Sequence, residues 1–184
     1  MTPHDSADSY SSPLFTAASA QGKWDAARRQ PGPWILEKGE IQMSAEANKA
    51  LAREFIDQVW NELRPDLVEK YMSEDFLVHD APGITDRESL KNYVAAIKKA
   101  FPDYKISIEQ EIAEGDLVVH RSISSGTQTG GFEALGLPAT GKPVSVVGVF
   151  VFRIANGKIA ELWGTSDGLG MMQQLGVIPV PGAS

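Results

Sequence analysis

The stretch that decides the fold is residues 144–167, VSVVGVFVFRIANGKIAELWGTSD. Its first half is almost wholly apolar and rich in β-branched and aromatic residues, which is typical of a central strand covered on both faces. The Asn-Gly pair in the middle predicts a tight hairpin turn. In the second half alternate positions are polar or amphipathic, so a strand places Glu161, Trp163 and Asp167 on one face. That face looks either at water or into a pocket.

Further strands are predicted upstream of this hairpin. Residues 74–80 read as a short strand, and residues 117–130 read as a long one. Residues 104–113, YKISIEQEIA, alternate with a period of two. One face of that strand is expected to carry Tyr104, Ile106, Ile108, Gln110 and Ile112.

The segment before these strands has a helical period. Apolar residues recur every four positions after Ser44, which is a good N-cap, and Pro65 opens a short second helix. Asp86 is expected to cap a third helix, whose apolar face ends at Phe101. Helices followed by antiparallel strands predict an α+β domain. In it a curved antiparallel sheet wraps around the N-terminal helices, and the space between them is a core or an internal cavity.

Composition excludes several classes of protein. The net charge of −7 argues against a nucleic-acid partner, because phosphate binding needs clustered Lys and Arg. The absence of cysteine excludes disulfides and thiolate chemistry and is compatible with a cytoplasmic location. No apolar run approaches the roughly 20 residues of a membrane span. No His, Asp and Glu triplet has metal-ligand spacing, so no metal is expected.

The chain of 184 residues suits one domain with extensions at its ends. Residues 1–42 are rich in Ser, Ala, Pro and Gly without a sustained period, and we expect a disordered extension there. The domain is expected to span residues 43–180 and to be followed by a tail at residues 181–184.

Three segments together resemble one family. They are AFPDYKISIEQEIAEGDLVVHR, GTQTGGFEALGLPATGKPV and FRIANGKIAELWGTSDGLGMMQQLG. From about residue 47 to residue 179 the chain resembles the SnoaL-like polyketide cyclases, which belong to the cone-shaped NTF2-like folds. The resemblance implies an enzyme that closes a ring in a small apolar carbonyl compound, such as an aromatic polyketide ester, by intramolecular aldol condensation without a cofactor. The superfamily also holds epoxide hydrolases, ketosteroid isomerases and non-catalytic binders, because one fold serves many functions.

The resemblance also implies catalytic residues. The acid/base aspartate of the cyclases matches Asp167, whose alternative role is to cap the helix that begins at Gly168. Relatives often carry histidine at the position of His79 and arginine at that of Arg121. Relatives commonly read Gly-Thr-His where this chain has Gln128, which can form hydrogen bonds but does not titrate.

The catalytic set is therefore expected to be Asp167, His79 and Arg121. Arg121 and its neighbour His120 must point to opposite faces of their strand. We expect Arg121 to face inward and His120 to face outward. The reverse orientation would change which acid/base groups line the interior. Desolvation in an apolar cavity would raise the pKa of Asp167 and make it a suitable base. The residues expected to contact the substrate are Trp163, Glu161, Gln128, Phe150, Phe152 and Phe101.

Several alternatives stay open at the level of sequence. A non-catalytic protein that holds a small apolar ligand would use the same residues, and an epoxide-hydrolase-like enzyme would use Asp167 and Glu161 to grip a water. The Gly-rich loop at residues 130–143 is a lid or a simple connector. The valines on the outward face of the apolar strand predict a homo-oligomer, a dimer or a tetramer, formed sheet against sheet.

Overall fold

The structure, a computed structural model, describes residues 43–81 and 83–179. The expected N-terminal extension and C-terminal tail lie outside these described residues. None of the helices in the described ranges is long and apolar enough to cross a membrane. The helices are α1 (Ala45–Phe55), α2 (Val68–Tyr71), α3 (Arg87–Ala100) and α4 (Gly168–Gln174), with a π-helical turn at Ile56–Asn61 and 3₁₀ turns at Pro65–Leu67 and Glu133–Leu135.

The predicted helix starts are confirmed. The Ser44 side chain accepts a hydrogen bond from the Ala47 amide at 3.2 Å and caps α1. Asp86 and Ser89 form a reciprocal capping box at the start of α3. Helix α1 continues into the π-helical turn, and such turns are frequent at functional sites because they re-aim side chains.

One five-stranded curved sheet covers the helices in the order β1-β5-β4-β3-β2. This confirms the predicted α+β architecture and the central place of β4. All neighbouring strands are antiparallel except β1 and β5, which run parallel, so the sheet is mixed rather than wholly antiparallel. The strands are β1 (Met72–His79), β2 (Lys105–Glu114), β3 (Leu117–Thr127), β4 (Pro143–Ala155) and β5 (Lys158–Ser166).

The face of the sheet that packs on the helices is called the inner face, and the opposite one the outer face. Two clusters of buried apolar residues fill the space between the inner face and the helices. On β4 the inner positions are buried except for Phe150, which is partly exposed, but Val147 and Val149 on the outer face keep 41% and 38% of their surface exposed. The expectation that β4 is covered on both faces is therefore wrong for the part of the chain that the structure describes.

A β-bulge in β2 changes which residues face inward. The register against β3 shifts between Ile108 and Gln110, and this shift reverses the alternation for the rest of the strand. Glu111 consequently turns inward, whereas Ile112 is 68% exposed. The predicted face holds for Ile106 and Ile108 and is wrong beyond them.

Candidate functional site

A row of polar side chains crosses the otherwise apolar inner face. Strand β3 places His120, Ser122 and Ser124 on that face at alternate positions, about 6.6 Å apart along the strand. The neighbouring strand β4 offers only apolar side chains and glycine there. We call these three residues the polar track, since they give the concave interior its hydrogen-bonding capacity.

His120 belongs to a hydrogen-bonded chain that links the interior to the surface. Its Nε2 lies 2.8 Å from Oε1 of Glu111, and Arg53 of α1 donates to both carboxylate oxygens from Nε and Nη2. The His120 side chain is 1% exposed, that of Glu111 9% and that of Arg53 51%. We call this the inner cluster; in it the carboxylate holds the imidazole and the guanidinium holds the carboxylate.

Burial decides the protonation of His120. Desolvation lowers the pKa of His120 below its ordinary value, and the charge of Arg53 acts in the same direction. The hydrogen bond and charge of Glu111 act against this shift without cancelling it. Because the Glu111 carboxylate only accepts hydrogen bonds, the neutral ring carries its proton on Nε2 and leaves the Nδ1 lone pair free.

Two atoms on the polar track have no hydrogen-bond partner among the described residues. They are Nδ1 of His120 and Oγ of Ser122, and both residues are 1% exposed. Leaving a buried polar group unsatisfied costs about 1–3 kcal/mol, so such groups in native proteins are usually met by an ordered water or another bound molecule. The two atoms offer an acceptor and a hydroxyl to a molecule held at the inner face.

Aromatic side chains lie beyond the polar track. Trp60, on the π-helical turn, and Tyr104 pack against both apolar clusters and so mark the seam between them, where Tyr93 contacts Trp60 at a ring separation of 6.1 Å. Burial raises the pKa of Tyr104 to about 12, although contact with Ser124 opposes the shift, and burial also raises the pKa of Tyr93. Both phenols therefore stay protonated at neutral pH and are available as donors.

Three predicted site residues, His79, Glu161 and Trp163, contact one another, but on the outer face. His79 Nε2 lies 2.8 Å from Oε2 of Glu161, and Arg153 Nε donates to Oε1 of the same carboxylate at 2.6 Å. The His79 ring stacks on Trp163 at 4.5 Å with 7° between the planes. The expectation that these side chains open into the cavity is wrong, because the β-strand alternation turns them away from the helices. We call His79, Glu161 and Arg153 the outer cluster.

The carboxylate of the outer cluster is stabilised in its charged form. Burial acts to raise the pKa of Glu161, but the hydrogen bonds from His79 and Arg153 outweigh it and keep that pKa below its usual range. Beside this cluster lies an open depression of about 370 Å³. Its lining residues are Asp80, Val149, Val151, Trp163, Gly164 and Thr165.

Asp167 lies at the start of α4 as its N-cap. Its Oδ1 accepts a hydrogen bond from the Gly170 amide at 2.8 Å, and its side chain is exposed. The apolar surroundings expected around Asp167 are therefore absent, and nothing in its position withdraws its carboxylate from water. The geometry favours helix capping over proton abstraction for this residue.

The expected orientations of Arg121 and His120 are reversed. Arg121 is exposed on the outer face and His120 is buried on the inner face. The alternation itself was predicted, but the choice of the inward residue was wrong. Arg121 therefore cannot contact a ligand on the inner face, and it forms no ion pair with Glu161. The titratable group that β3 places in the interior is His120.

Gln128 is fully buried, and its side chain is engaged with the loop that follows β3. Its Nε2 donates to the Pro138 carbonyl at 3.2 Å, and its Oε1 accepts from Thr140 Oγ1 at 2.8 Å. Its own backbone pairs with Gly141 and Lys142 of the same loop. Gln128 thus fixes the Gly-rich loop instead of presenting its amide to a ligand.

The predicted aromatic contacts take different places. Phe152 and Phe101 are buried members of the two apolar clusters. Phe150 lies on the inner face and is partly exposed, and its ring covers Gly148 and Gly164, where a Cβ atom would come within 2.9 Å and 2.8 Å of ring carbons. Phe150 is therefore the one of the three that is not fully buried.

Glu111 and Arg53 were not predicted from the sequence. The bulge that turns Glu111 inward contains no Gly or Pro that would indicate it in the sequence. The pairing of Arg53 with Glu111, which is 58 positions away, depends on how α1 packs on β2. Ser122 shares the face of His120 by strand alternation, so the choice of Arg121 as the inward residue also left Ser122 out of the predicted site. The signal that was available was the chemistry of β3 itself, with His120 and two serines at alternate positions.

Comparisons with known proteins agree with this fold. The family model of the SnoaL-like polyketide cyclases matches residues 50–175. TsrD from Streptomyces laurentii is 25% identical, with a TM-score of 0.67 over 74% of this chain and 100% of its own. A protein of Acidithiobacillus ferrooxidans, provisionally assigned as a polyketide cyclase, is 28% identical, with a TM-score of 0.64 over 73% of this chain and 99% of its own.

A third similar structure carries a different assignment. AclR from Streptomyces galilaeus, provisionally assigned as a hydroxylase, is 27% identical, with a TM-score of 0.66 over 74% of this chain and 100% of its own. No curated protein matches the chain. Similar structures thus carry more than one assigned activity, and the residues of the site have to decide the chemistry.

Proposed function

Because the chain belongs to the SnoaL-like polyketide cyclase family, we propose that it is a cofactor-independent cyclase or isomerase. Its substrate is a small apolar compound with several carbonyl groups, and its reaction is an intramolecular aldol-type ring closure. One observation carries the assignment of the catalytic group: the buried His120 keeps Nδ1 without a partner, while Glu111 holds Nε2 at 2.8 Å.

His120 is the general base of this proposal. Its pKa is lowered by burial, so the imidazole is neutral at neutral pH and its free Nδ1 lone pair can accept a proton. A carbon acid flanked by two carbonyl groups is acidic enough for such a base. Glu111 then stabilises the imidazolium that forms, in the way that a carboxylate orients and supports a catalytic histidine elsewhere.

The proposed reaction proceeds in two balanced steps. His120 Nδ1 takes a proton from the activated carbon, and the electron pair of the broken C–H bond becomes an enolate whose oxygen accepts a hydrogen bond from Ser122 Oγ. The enolate carbon then attacks a second carbonyl of the same molecule, and the resulting alkoxide recovers the proton from His120. The concave interior contributes by holding the substrate chain folded for attack.

Substitution of the two described histidines tests this proposal. With the methyl ester of an aromatic polyketide as probe, ring closure is followed by chromatography, and exchange of the activated C–H in deuterated water by NMR. We expect His120→Gln to lower both rates by about 10²–10⁴-fold, the usual contribution of a general base. The matched control His79→Gln, on the outer face, should stay within about threefold. Full activity of His120→Gln in a folded protein would exclude His120 as the base.

A non-catalytic ligand-binding role is the second candidate, and one observation favours it. On the inner face β4 carries no titratable side chain. The Phe150 ring lies over Gly148 of β4 and Gly164 of β5, two positions that have no side chain to contribute a functional group. Recovery of the probe unchanged, with no exchange of its activated C–H, would support binding alone. Hydrolysis lacks such support, since Glu161 is bonded to His79 and Arg153 on the outer face while Asp167 caps α4.

A further inference from the structure

We infer that Arg53 is a positioning residue of the proposed reaction: from the surface of α1 it holds Glu111 against His120, and its charge keeps the imidazole ready to accept a proton. The inference rests on the proposed function, because it gives a role in that reaction to a residue that does not touch the reacting atoms. Arg53 is 51% exposed, so a change at this position alters the surface and leaves the lining of the inner face intact.

The first reason is that one carboxylate oxygen joins the two basic side chains. Oε1 of Glu111 accepts a hydrogen bond from Arg53 Nε at 3.1 Å and lies 2.8 Å from His120 Nε2. Arg53 Nη2 donates to the other oxygen, so the guanidinium grips the carboxylate as a fork. Within residues 43–81 and 83–179, every hydrogen bond of the Arg53 and Glu111 side chains belongs to this inner cluster.

The second reason is that the backbone brings Glu111 inward without fixing its carboxylate. The bulge in β2 turns the side chain toward the helices, where it is 9% exposed. The terminal torsion of a glutamate is soft, so the plane of its two oxygens needs further contacts to be defined. The fork of Arg53 defines this plane and directs Oε1 at the imidazole of His120. A carboxylate withdrawn from water also needs a cation close by, which Arg53 provides.

The third reason is the set of charges around the imidazole. Strand β4 packs the uncharged ring of Phe152 against His120 at a ring separation of 5.1 Å. Among the described residues, the charges that act on the imidazole are those of Glu111 on β2 and Arg53 on α1, while the other acidic side chains of α1 that form ion pairs do so with lysines. Burial does most to lower the pKa of His120, and the charge of Arg53 acts with it while Glu111 opposes both.

The direction of the expected effect follows from these charges. Removing the positive charge of Arg53 makes it easier for the coupled pair of Glu111 and His120 to take up a proton. The base works only while it is unprotonated, so the acidic limb of the pH profile of kcat/KM moves to higher pH. Loss of the fork also leaves the imidazole less firmly oriented. We expect kcat to fall by about 10-fold, below the roughly 100-fold that a 1 Å misplacement can cost, and KM to stay within about twofold.

Two substitutions of Arg53 and one control in the full-length chain test the inference, with the same polyketide methyl ester as probe. Arg53→Met should show both effects. Arg53→Lys keeps the charge without the fork, so its acidic limb should stay at the wild-type pH and its kcat should fall less. The matched control is Arg64→Met. Arg64 bonds both oxygens of Asp66 at 3.2 and 2.8 Å, but that carboxylate is 61% exposed and is not bonded to His120, so the profile and kcat should stay within about twofold of the wild type.

A titration of the resting protein separates this inference from the proposed function. NMR follows the ring signals of His120, which are identified by their loss in His120→Gln, over the acidic range in which the fold persists. We expect a higher midpoint in Arg53→Met than in the wild type or Arg53→Lys. Full activity of His120→Gln would overturn the proposed function, and the role of Arg53 in the reaction with it, whatever the titration gives. With an inactive His120→Gln, an Arg53→Met variant that matches the wild type in titration and kcat would overturn the inference alone, and so would an equal shift in Arg53→Lys.

Discussion

The same three residue types form a hydrogen-bonded chain on each face of the sheet, and the two chains differ in burial. In the inner cluster Arg53, Glu111 and His120 end in an imidazole that is 1% exposed. In the outer cluster Arg153 and Glu161 end in His79, which is 35% exposed. The distance from histidine Nε2 to the carboxylate is 2.8 Å in both.

The difference shows that burial, more than the contact list, decides what such a chain is suited to do. Desolvation lowers the pKa of the inner imidazole, whose second nitrogen has no hydrogen-bond partner among the described residues. The outer imidazole is in contact with solvent, and one face of its ring stacks on Trp163. The same three residue types therefore leave an unpartnered imidazole nitrogen on one face and a ring stacked on tryptophan on the other.

In the comparison of the two clusters, the largest expected effect comes from removing the charge of Glu111. Glu111→Gln should lower the rate of ring closure of the probe by about 100-fold or more, because an amide no longer fixes the tautomer of His120 or stabilises its cation. Glu161→Gln, the same change on the outer face, should stay within about threefold. Equal losses in the two variants, measured as kcat/KM, would remove the functional distinction between the clusters.

A second prediction concerns how tightly the inner face is packed. Gly164→Ala places a Cβ atom 2.8 Å from Cδ1 of Phe150, so we expect the free energy of unfolding to fall by about 1–3 kcal/mol. Gly168→Ala has nothing within 4 Å of the new atom and should change it by less than about 0.5 kcal/mol. Urea unfolding measures both. An unchanged free energy of unfolding in Gly164→Ala would mean that the Phe150 ring can move aside without loss of packing.

Asp167 provides a smaller effect that separates capping from catalysis. Asp167→Ala removes the hydrogen bond to the Gly170 amide and should destabilise the protein by about 1 kcal/mol. Asp167→Asn keeps a side-chain oxygen for the cap, so we expect unchanged stability and ring closure within about threefold. A folded but inactive Asp167→Asn variant would instead move the general base from the inner cluster to Asp167.

The smallest effect is the pH dependence that His120 gives to stability. Its pKa in the folded protein lies below its ordinary value of 6.5, mainly through burial. As the pH falls below about 6.5 the unfolded chain takes up a proton that the folded protein resists, so the free energy of unfolding decreases there and is unaffected above. His120→Gln should flatten this decrease below about pH 6.5. His79→Gln serves as the control, and an identical decrease in His120→Gln would contradict the origin assigned to it.

Much of the fold was predictable because its signals are local. The caps at Ser44 and Asp86, the Asn156-Gly157 hairpin and the strand alternation in residues 117–167 each depend on neighbours in the chain. The α+β class followed from their order. The parallel pairing of β1 with β5 was missed, because it joins residues more than 80 positions apart and has no local signature.

The site was less predictable, because alternation gives two faces without saying which one is covered. His120 and Arg121 were correctly placed on opposite faces of β3, and the wrong one was chosen as inward. The predicted face of β2 followed a period of two that the bulge between Ile108 and Gln110 interrupts, so Glu111 was not among the candidates. One extra residue in a strand reverses every later side chain, and nothing in the composition of β2 marks its position.

The sequence by itself therefore determined the elements, their order, the family and the chemical types of the groups available. The tertiary structure alone decided which of them share a face, since that depends on strand register and on the packing of helices against one side of the sheet. It separated Trp163, Glu161 and His79 from the interior and brought Arg53, Glu111 and His120 together there. Local preferences fix a strand, but only contacts between distant segments decide which of its faces loses contact with water.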